Sequence, residues 1–205
     1  PGDPTLGRLA WGERDGGTTP VSDAVVSLAD PSLSPDGERI AFEDRDDNLW
    51  AQDLRRGTRV RLTLDGEGSN AYPVWSRDGS RVFFASNRTG DWEIWSVPPS
   101  GGPATRLLER KANQFPASVA PDGTVLFVER AKGNAAGLYT LSPGGEVRPF
   151  LVSPFSTTGA QFSPDGRAVA YISDETGRGE VYVLPLGGTG DVAPGAADGG
   201  NAPRG

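Results

Sequence analysis

A four-residue turn motif recurs at a nearly constant interval along the chain. Its copies are Ser34-Pro35-Asp36-Gly37, Ser76-Arg77-Asp78-Gly79, Ala120-Pro121-Asp122-Gly123 and Ser163-Pro164-Asp165-Gly166. Aspartate can hydrogen-bond its own backbone and glycine tolerates left-handed backbone angles, so the motif predicts a tight turn between two strands. The aspartates are 42, 44 and 43 residues apart. Because a period of about 40–45 residues is typical of a four-stranded propeller blade, the turn indicates a repeated blade.

An apolar segment follows each turn and predicts the second strand of a blade. The four segments are residues 39–42, 81–84, 125–128 and 168–172. They are apolar on both faces, whereas an antiparallel strand with one solvated face alternates apolar and polar residues. Continuous apolar strands indicate a sheet covered on both sides, as when each blade packs between two neighbours. The pattern therefore favours a β-propeller over a two-sheet sandwich.

Two further strands complete the predicted blade. The third strand carries an aromatic residue in the same slot of every repeat, at Trp50, Trp95, Tyr139 and Tyr182. Three repeats also have a fourth strand, at residues 59–63, 104–108 and 147–151, and each of these contains Arg or Pro. Such residues protect exposed strand edges from pairing with other chains, so these segments are predicted to be outermost.

The repeats divide the chain into an all-β propeller region, 1–186, and a tail, 187–205. Within the propeller region we predict a half blade at 6–22 and blades at 31–63, 73–108, 116–151 and 160–186. The tail, rich in Gly, Ala and Pro, is either a terminal extension or the start of a further blade. A six-bladed ring at this period needs about 260 residues. The alternatives are a fragment of a larger propeller, a ring closed by another chain, and an open or small ring.

Composition excludes several classes of chemistry. The chain has no His and no Cys, which removes His-dependent triads, His metal ligands and thiol nucleophiles. The net charge is −7, and nucleic-acid binding needs a basic face, so we expect no nucleic-acid partner. No run of eighteen apolar residues or signal-like segment occurs, so neither membrane insertion nor a signal peptide is predicted in this piece.

The successive segments WGERDG, LSPDGERIAF, YPVWSRDG and FSPDGRAVAYISDETGRGEVYV resemble the repeats of TolB-like propellers. In that family an S-P-D-G turn is followed by an apolar strand and an aromatic strand. The resemblance covers residues 6–186. It implies a periplasmic or extracytoplasmic scaffold that binds proteins, as TolB binds an outer-membrane lipoprotein within an envelope-spanning complex. TolB-like propellers also often follow a protein kinase or a DNA-binding domain.

Candidate binding residues lie on one predicted face of the propeller, which we call the loop face. It combines the loops 43–48, 87–91, 129–137 and 173–178 with the inter-blade loops 64–72, 109–115 and 152–159, and binding residues tend to collect on loops of a rigid scaffold. The opposite face carries the repeated turns and is called the turn face. The candidate residues on the loop face are Asp44, Asp46, Asp47, Tyr72, Arg88, Asp91, Phe115, Phe155 and Arg178.

Each candidate group also has a simpler explanation. Carboxylates at Glu43, Asp44, Asp46 and Asp47 could bind calcium, but the run lacks the glycine and spacing of a calcium loop and is interpreted as solvated. Tyr72, Phe115 and Phe155 either line a channel mouth or form repeated core packing. The turn residues Asp36, Asp78, Asp122 and Asp165 are interpreted as structural, because one turn-capping role explains all four. No catalytic residue, metal or cofactor is predicted.

Three functions from different classes remain at this stage. The first is a non-catalytic scaffold that binds a protein or peptide through the loop face or channel mouth. The second is the gating domain of a prolyl-oligopeptidase-like or tricorn-like peptidase whose catalytic residues lie outside this chain. The third is a carbohydrate-binding propeller. Unclosed propeller edges could also allow self-association.

Overall fold

The computed structural model describes residues 9–21, 29–64, 66, 68–131 and 136–186. Within these ranges every regular element is a β-strand, and the strands form antiparallel sheets. Among the same residues, no helix has the length and apolar character needed to cross a bilayer. The all-β propeller architecture predicted from the repeat is confirmed.

Four sheets correspond to the four complete turn motifs, and we number them blades 1 to 4. Blade 1 contains β3 (Ala29–Leu33), β4 (Arg39–Glu43), β5 (Leu49–Asp53) and β6 (Arg59–Arg61). Blade 2 contains β7 (Asn70–Trp75), β8 (Val82–Ser86), β9 (Glu93–Val97) and β10 (Thr105–Arg106). Blade 3 contains β11 (Asn113–Val119), β12 (Val125–Arg130), β13 (Ala136–Leu141) and β14 (Val147–Val152). Blade 4 contains β15 (Thr157–Phe162), β16 (Ala168–Ser173) and β17 (Glu180–Pro185).

The predicted half blade is present as a short hairpin. Strand β1 (Ala10–Gly12) pairs antiparallel with β2 (Thr18–Pro20), and all six residues are exposed. The hairpin is shorter than the predicted segment 6–22, of which residues 6–8 and 22 lie outside the described residues. The predicted tail, 187–205, also lies outside them. The division of the chain into these domains therefore stays a prediction.

Neighbouring blades pack through apolar cores that lie between their sheets. Blades 1 and 2 share one core, blades 2 and 3 a second, and blades 3 and 4 a third. Strand β12 contributes to two of them, because Val125 and Phe127 face blade 2 whereas Leu126 and Val128 face blade 4. This alternation between two cores is the physical reason that β12 is apolar at four successive positions, 125–128.

Blade 4 departs from this pattern on its outer face. Cross-strand pairing places Ile172 opposite Val181 and Ala170 opposite Val183. Ile172, Val181 and Val183 are 40%, 72% and 65% exposed. Val169, on the other face of the same sheet, is fully buried against blade 3. Among the described residues, blade 4 is thus covered on one side.

The repeated turns have a common hydrogen-bond pattern. In blade 2, the Ser76 hydroxyl and the backbone N–H of Ser80 both donate to the Asp78 carboxylate. The backbone N–H of Arg81 donates to the Ser76 hydroxyl, which ties the turn to the next strand. These donors, beginning with the Ser76 hydroxyl, lower the pKa of Asp78 to about 2. The turn aspartates Asp36, Asp122 and Asp165 likewise accept a backbone N–H two residues further on.

Candidate binding site in the central channel

The innermost strands of the four blades, β3, β7, β11 and β15, line a cavity of about 670 Å³. Because each inner strand starts at an inter-blade loop and ends at a repeated turn, its first residues lie towards the loop face and its last towards the turn face. We call this cavity the channel. Its walls are formed by Asp30, Pro31, Ser32, Leu33, Pro35, Tyr72, Pro73, Val74, Trp75, Arg77, Phe115, Pro116, Ala117, Ser118, Val119, Val128, Arg130, Thr158, Gly159, Ala160 and Gln161.

Each inner strand is interrupted by a β-bulge that turns side chains towards the channel. The register against the second strand shifts between Ala71 and Val74 in blade 2, and at corresponding places in the other three blades. Three of these bulges contain a residue with a left-handed φ. The φ value is 47° for Asp30 in blade 1, 55° for Tyr72 in blade 2 and 60° for Gly159 in blade 4. Left-handed conformations are uncommon for residues other than glycine, and they concentrate at functional sites.

Aromatic rings form one part of the channel wall near the loop face. The rings of Tyr72 and Phe115 meet edge to face with their centroids 5.5 Å apart. The centroid of the Trp92 ring lies 5.8 Å from that of Phe115. Tyr72 remains 46% exposed. Aromatic side chains that are held by neighbours yet remain exposed offer contact area at low entropic cost. Of the three aromatic residues proposed from sequence, these two are brought together in the channel.

Three charged residues also line the channel. The guanidinium of Arg130 stacks over the Phe115 ring at 5.6 Å. Arg77 extends from the turn of blade 2, and its Nη2 donates a 2.7 Å hydrogen bond to the carbonyl of Pro164 in the turn of blade 4. Asp30 contributes a carboxylate on blade 1, and desolvation raises its pKa. None of the three was identified from the sequence.

A departure from the repeat could have revealed Arg77. The other three turns have Pro at this position, and only the second repeat has Arg. Arg130 is the last residue of β12, and Asp30 occupies the bulge position that Tyr72 has in the next blade. Because the bulges carry no sequence signature, the residues that they turn towards the channel required the structure.

The acidic loop 43–48 is held mainly by its own hydrogen bonds. The carboxylate of Asp44 accepts the backbone N–H groups of Asp46 and Asn48 and the indole N–H of Trp50. Asp46 and Asp47 are exposed, and Asp47 has a left-handed φ of 57°. In the part of the chain that the structure describes, no group of three or more carboxylates is arranged to hold a metal ion.

Glu43 is the first residue of this loop and lies close to the channel residue Asp30. Burial is the largest cause that raises the pKa of Glu43 to about 7, followed by the negative charges of Asp30, Asp47 and Asp44. A carboxyl whose pKa is higher in the folded than in the unfolded protein stabilises the fold at low pH, and this contribution is lost as the pH rises through about 7.

We expect Glu43→Gln to flatten the dependence of stability on pH. The amide is neutral at every pH and can still donate to Asp47, so the variant should exceed the wild type in stability at pH 8 by about 1 kcal/mol, a value reduced for partial exposure. At pH 5 the two proteins should be nearly equal. Urea unfolding at both pH values measures this, with the exposed carboxyl Glu109→Gln as the control. Parallel pH profiles for Glu43→Gln and wild type would contradict the assignment.

The remaining candidate residues from the sequence lie outside the channel. Arg88 donates to Ser86 and Asn70 and stacks over the Trp95 ring at 4.6 Å, so it links strands within blade 2. Arg178 forms a 2.8 Å ion pair with Glu180. Asp91 is exposed. Phe155 is 41% exposed and precedes β15 by two residues, so it does not share the strand position of Tyr72 and Phe115.

The comparison with solved structures agrees with the fold. The chain superposes on the putative TolB from Agrobacterium tumefaciens with a TM-score of 0.76 and 17% sequence identity, covering 86% of this chain and 64% of that chain. At this level of identity the likeness bears on the fold alone.

Two curated relatives show similarity in sequence. An uncharacterized peptidase, YuxL, from Bacillus subtilis (strain 168) is 26% identical over 156 residues, which cover 71% of this chain and 23% of that protein. A protein TolB homolog from Chlorobium luteolum is 28% identical over 152 residues, which cover 53% of this chain and 35% of that protein. The chain therefore spans about a quarter to a third of the length of these relatives.

The family comparison covers most of the chain. The TolB beta propeller domain family matches residues 14–190, which include all four repeated turns and all four blades. The chain belongs to the TolB beta propeller domain family.

Proposed function

We propose that the protein is a non-catalytic scaffold that binds a segment of a protein or peptide in the channel and on the loop face around it. The observation that carries this proposal is the Tyr72–Phe115 pair, which lines the channel and whose Tyr72 lies in a bulge with a left-handed φ of 55°. Extended peptides are bound by aromatic-lined grooves with a few polar anchors. The polar wall residues Ser32 on blade 1 and Thr158 and Gln161 on blade 4 could provide such anchors.

The family supports the same function. TolB-like propellers bind proteins, and the resemblance extends over all four blades of this chain. An extracytoplasmic location is proposed on the same basis. The exposed face of blade 4, with Ile172, Val181 and Val183, is a proposed surface for self-association. Light scattering would test it, since a mass above 21.5 kDa that rises with concentration would indicate association.

Affinity selection tests the binding proposal. The probe is a synthetic library of random dodecapeptides with free C-termini, incubated with the protein and read by mass spectrometry. We expect selected peptides whose binding falls at least tenfold in Phe115→Ala, since buried aromatic anchors dominate such interfaces. The control is Tyr182→Ala, which removes a ring stacked on Tyr171 in blade 4, away from the channel. An equal loss in both variants, or no enrichment of peptides by the wild type, would overturn the proposal.

A second function is favoured by the similarity to a peptidase. YuxL is named as a peptidase, and the match covers 71% of this chain but only 23% of that protein. Under this alternative the propeller admits peptides to a catalytic domain that lies outside the present chain. A nucleophile elbow, Gly-x-Ser-x-Gly, in a longer parent sequence would support it. A carbohydrate-binding propeller is the third alternative, and a glycan array would test it.

A further inference from the structure

The charged residues that line the channel are mostly positive, whereas the whole chain carries a net negative charge. The protein has a net charge of −7. Among the residues that the structure describes, the channel wall contains two guanidinium groups, Arg77 and Arg130, and one carboxylate, Asp30. Within the described residues, the recorded contacts of both guanidinium groups are to uncharged groups, a carbonyl oxygen and an aromatic ring. Most other arginines with recorded contacts pair with carboxylates, as Arg110 does with Glu129.

Arg77 links the turns of blades 2 and 4 at the end of the channel towards the turn face. It starts in the turn of blade 2 and reaches the carbonyl of Pro164 in the turn of blade 4. The side chain therefore spans the end of the channel. A guanidinium has five N–H donors, and the Pro164 carbonyl takes one of them. Proline at this position, as in the other three repeats, could neither reach across nor donate a hydrogen bond.

Arg130 lies at the other end of the channel, where β12 reaches the loop face. It is exposed, and its guanidinium is oriented by stacking on Phe115. A stacked guanidinium keeps its N–H edge available for two parallel hydrogen bonds to one carboxylate. The aromatic pair and this cation thus stand side by side at the entrance. Asp30, two blades away, gives the opposite side of the entrance a negative charge.

We propose that the channel selects peptide segments that carry a carboxylate, and that it is entered from the loop face and blocked at the turn face by Arg77. This proposal rests on the function proposed above and names the chemistry of its ligand. The carboxylate can be an Asp or Glu side chain, which pairs with Arg130 at the entrance. It can also be a C-terminal carboxylate, which reaches Arg77 because a chain end fits a channel that is closed at one end.

The experiment uses the full chain and a dodecapeptide from the affinity selection described above. Three versions of the peptide are labelled for fluorescence anisotropy: the original, one with a C-terminal amide, and one with Asp and Glu replaced by Asn and Gln. We expect at least tenfold weaker binding when the relevant carboxylate is removed. If amidation weakens binding, the C-terminal carboxylate is the group that the channel recognises. If replacement of Asp and Glu weakens binding, a side-chain carboxylate is that group. Equal binding of all three versions overturns this proposal but leaves peptide binding intact.

Arginine variants provide the second arm of the experiment. Arg130→Gln should weaken at least tenfold the binding of a peptide that is recognised by an Asp or Glu side chain. Arg77→Gln should do the same for a peptide that is recognised by its C-terminal carboxylate. Each arginine variant should change the affinity for the peptide version that lacks the relevant carboxylate by less than threefold. Arg55→Gln is the matched control, because it removes the same charge at an exposed site in the turn between β5 and β6. The proposal is overturned if Arg55→Gln weakens binding as much as the channel variants. Thermal melting of all three variants checks that each is folded.

Discussion

Replacing Phe84 by alanine should destabilise the protein by about 3–5 kcal/mol. Phe84 is fully buried in the core between blades 1 and 2, where it packs with Leu49, Leu62 and Val82. The substitution removes the ring from a site enclosed by two sheets, and the cavity cannot collapse unless the blades move together. The loss should appear as a lower urea midpoint with little change in the slope of unfolding.

The control for this prediction is Phe155→Ala. Phe155 is 41% exposed, so its loss should cost about 1 kcal/mol or less. The pair separates burial between blades from the general effect of losing an aromatic ring. A Phe84→Ala variant as stable as Phe155→Ala would mean that blades 1 and 2 do not share a close-packed core.

The second largest effect is expected for Gly166→Ala, at about 2–3 kcal/mol of destabilisation. Gly166 has a φ of +70°, and an added Cβ would lie 2.7 Å from Cδ of Pro121 in the turn of blade 3. The strain of a left-handed alanine, about 1 kcal/mol, is therefore joined by a collision with a rigid ring. The cost arises where the turns of neighbouring blades touch.

Gly37→Ala isolates the backbone contribution. Gly37 has the same φ of +70° in the equivalent turn, but an added Cβ would meet no atom within 4 Å. This variant should lose about 1 kcal/mol, which is the strain alone. Urea unfolding of the two variants gives the difference. Equal costs at the two glycines would show that the turns of blades 3 and 4 are not in close contact.

The channel joins these stability arguments to function. The same packing that buries Phe84 fixes the positions of the inner strands, whose bulges present Tyr72 and Asp30 to the channel beside Phe115. A scaffold held by three inter-blade cores can keep a strained residue such as Tyr72 in place, because the surrounding contacts outweigh the strain. The positions of these candidate binding residues therefore depend on blade packing, although the residues do not belong to the cores.

Much of the fold could be predicted from the repeat. The aspartates of the turns are spaced by 42 to 44 residues, and this spacing predicted the blades and the order of their strands. The apolar second strands are buried on both sides in blades 2 and 3, as their composition indicated. The bounds of the fourth strands were predicted less accurately, since the predicted strand 104–108 is only Thr105–Arg106 in the structure. Edge strands have few packing contacts, so sequence constrains their length only weakly.

The candidate binding site was only partly predictable from the sequence. Sequence alone pointed to aromatic and charged residues on the loop face, and two of these, Tyr72 and Phe115, line the channel. Arg88 and Arg178 instead have partners within their own blades. Loop charges were treated as exposed groups, and no local pattern shows whether an arginine side chain folds back onto its own blade.

By itself, the amino-acid sequence determined the blade, its period and its apolar strands, because turn chemistry and strand patterning act over a few neighbouring residues. Only the tertiary structure decided which side chains meet in the channel. Arg77 and Pro164 are 87 residues apart, and they come together because blades 2 and 4 face each other across the channel. Contacts of this kind depend on how whole sheets pack around an axis, and that arrangement is a property of all the blades together.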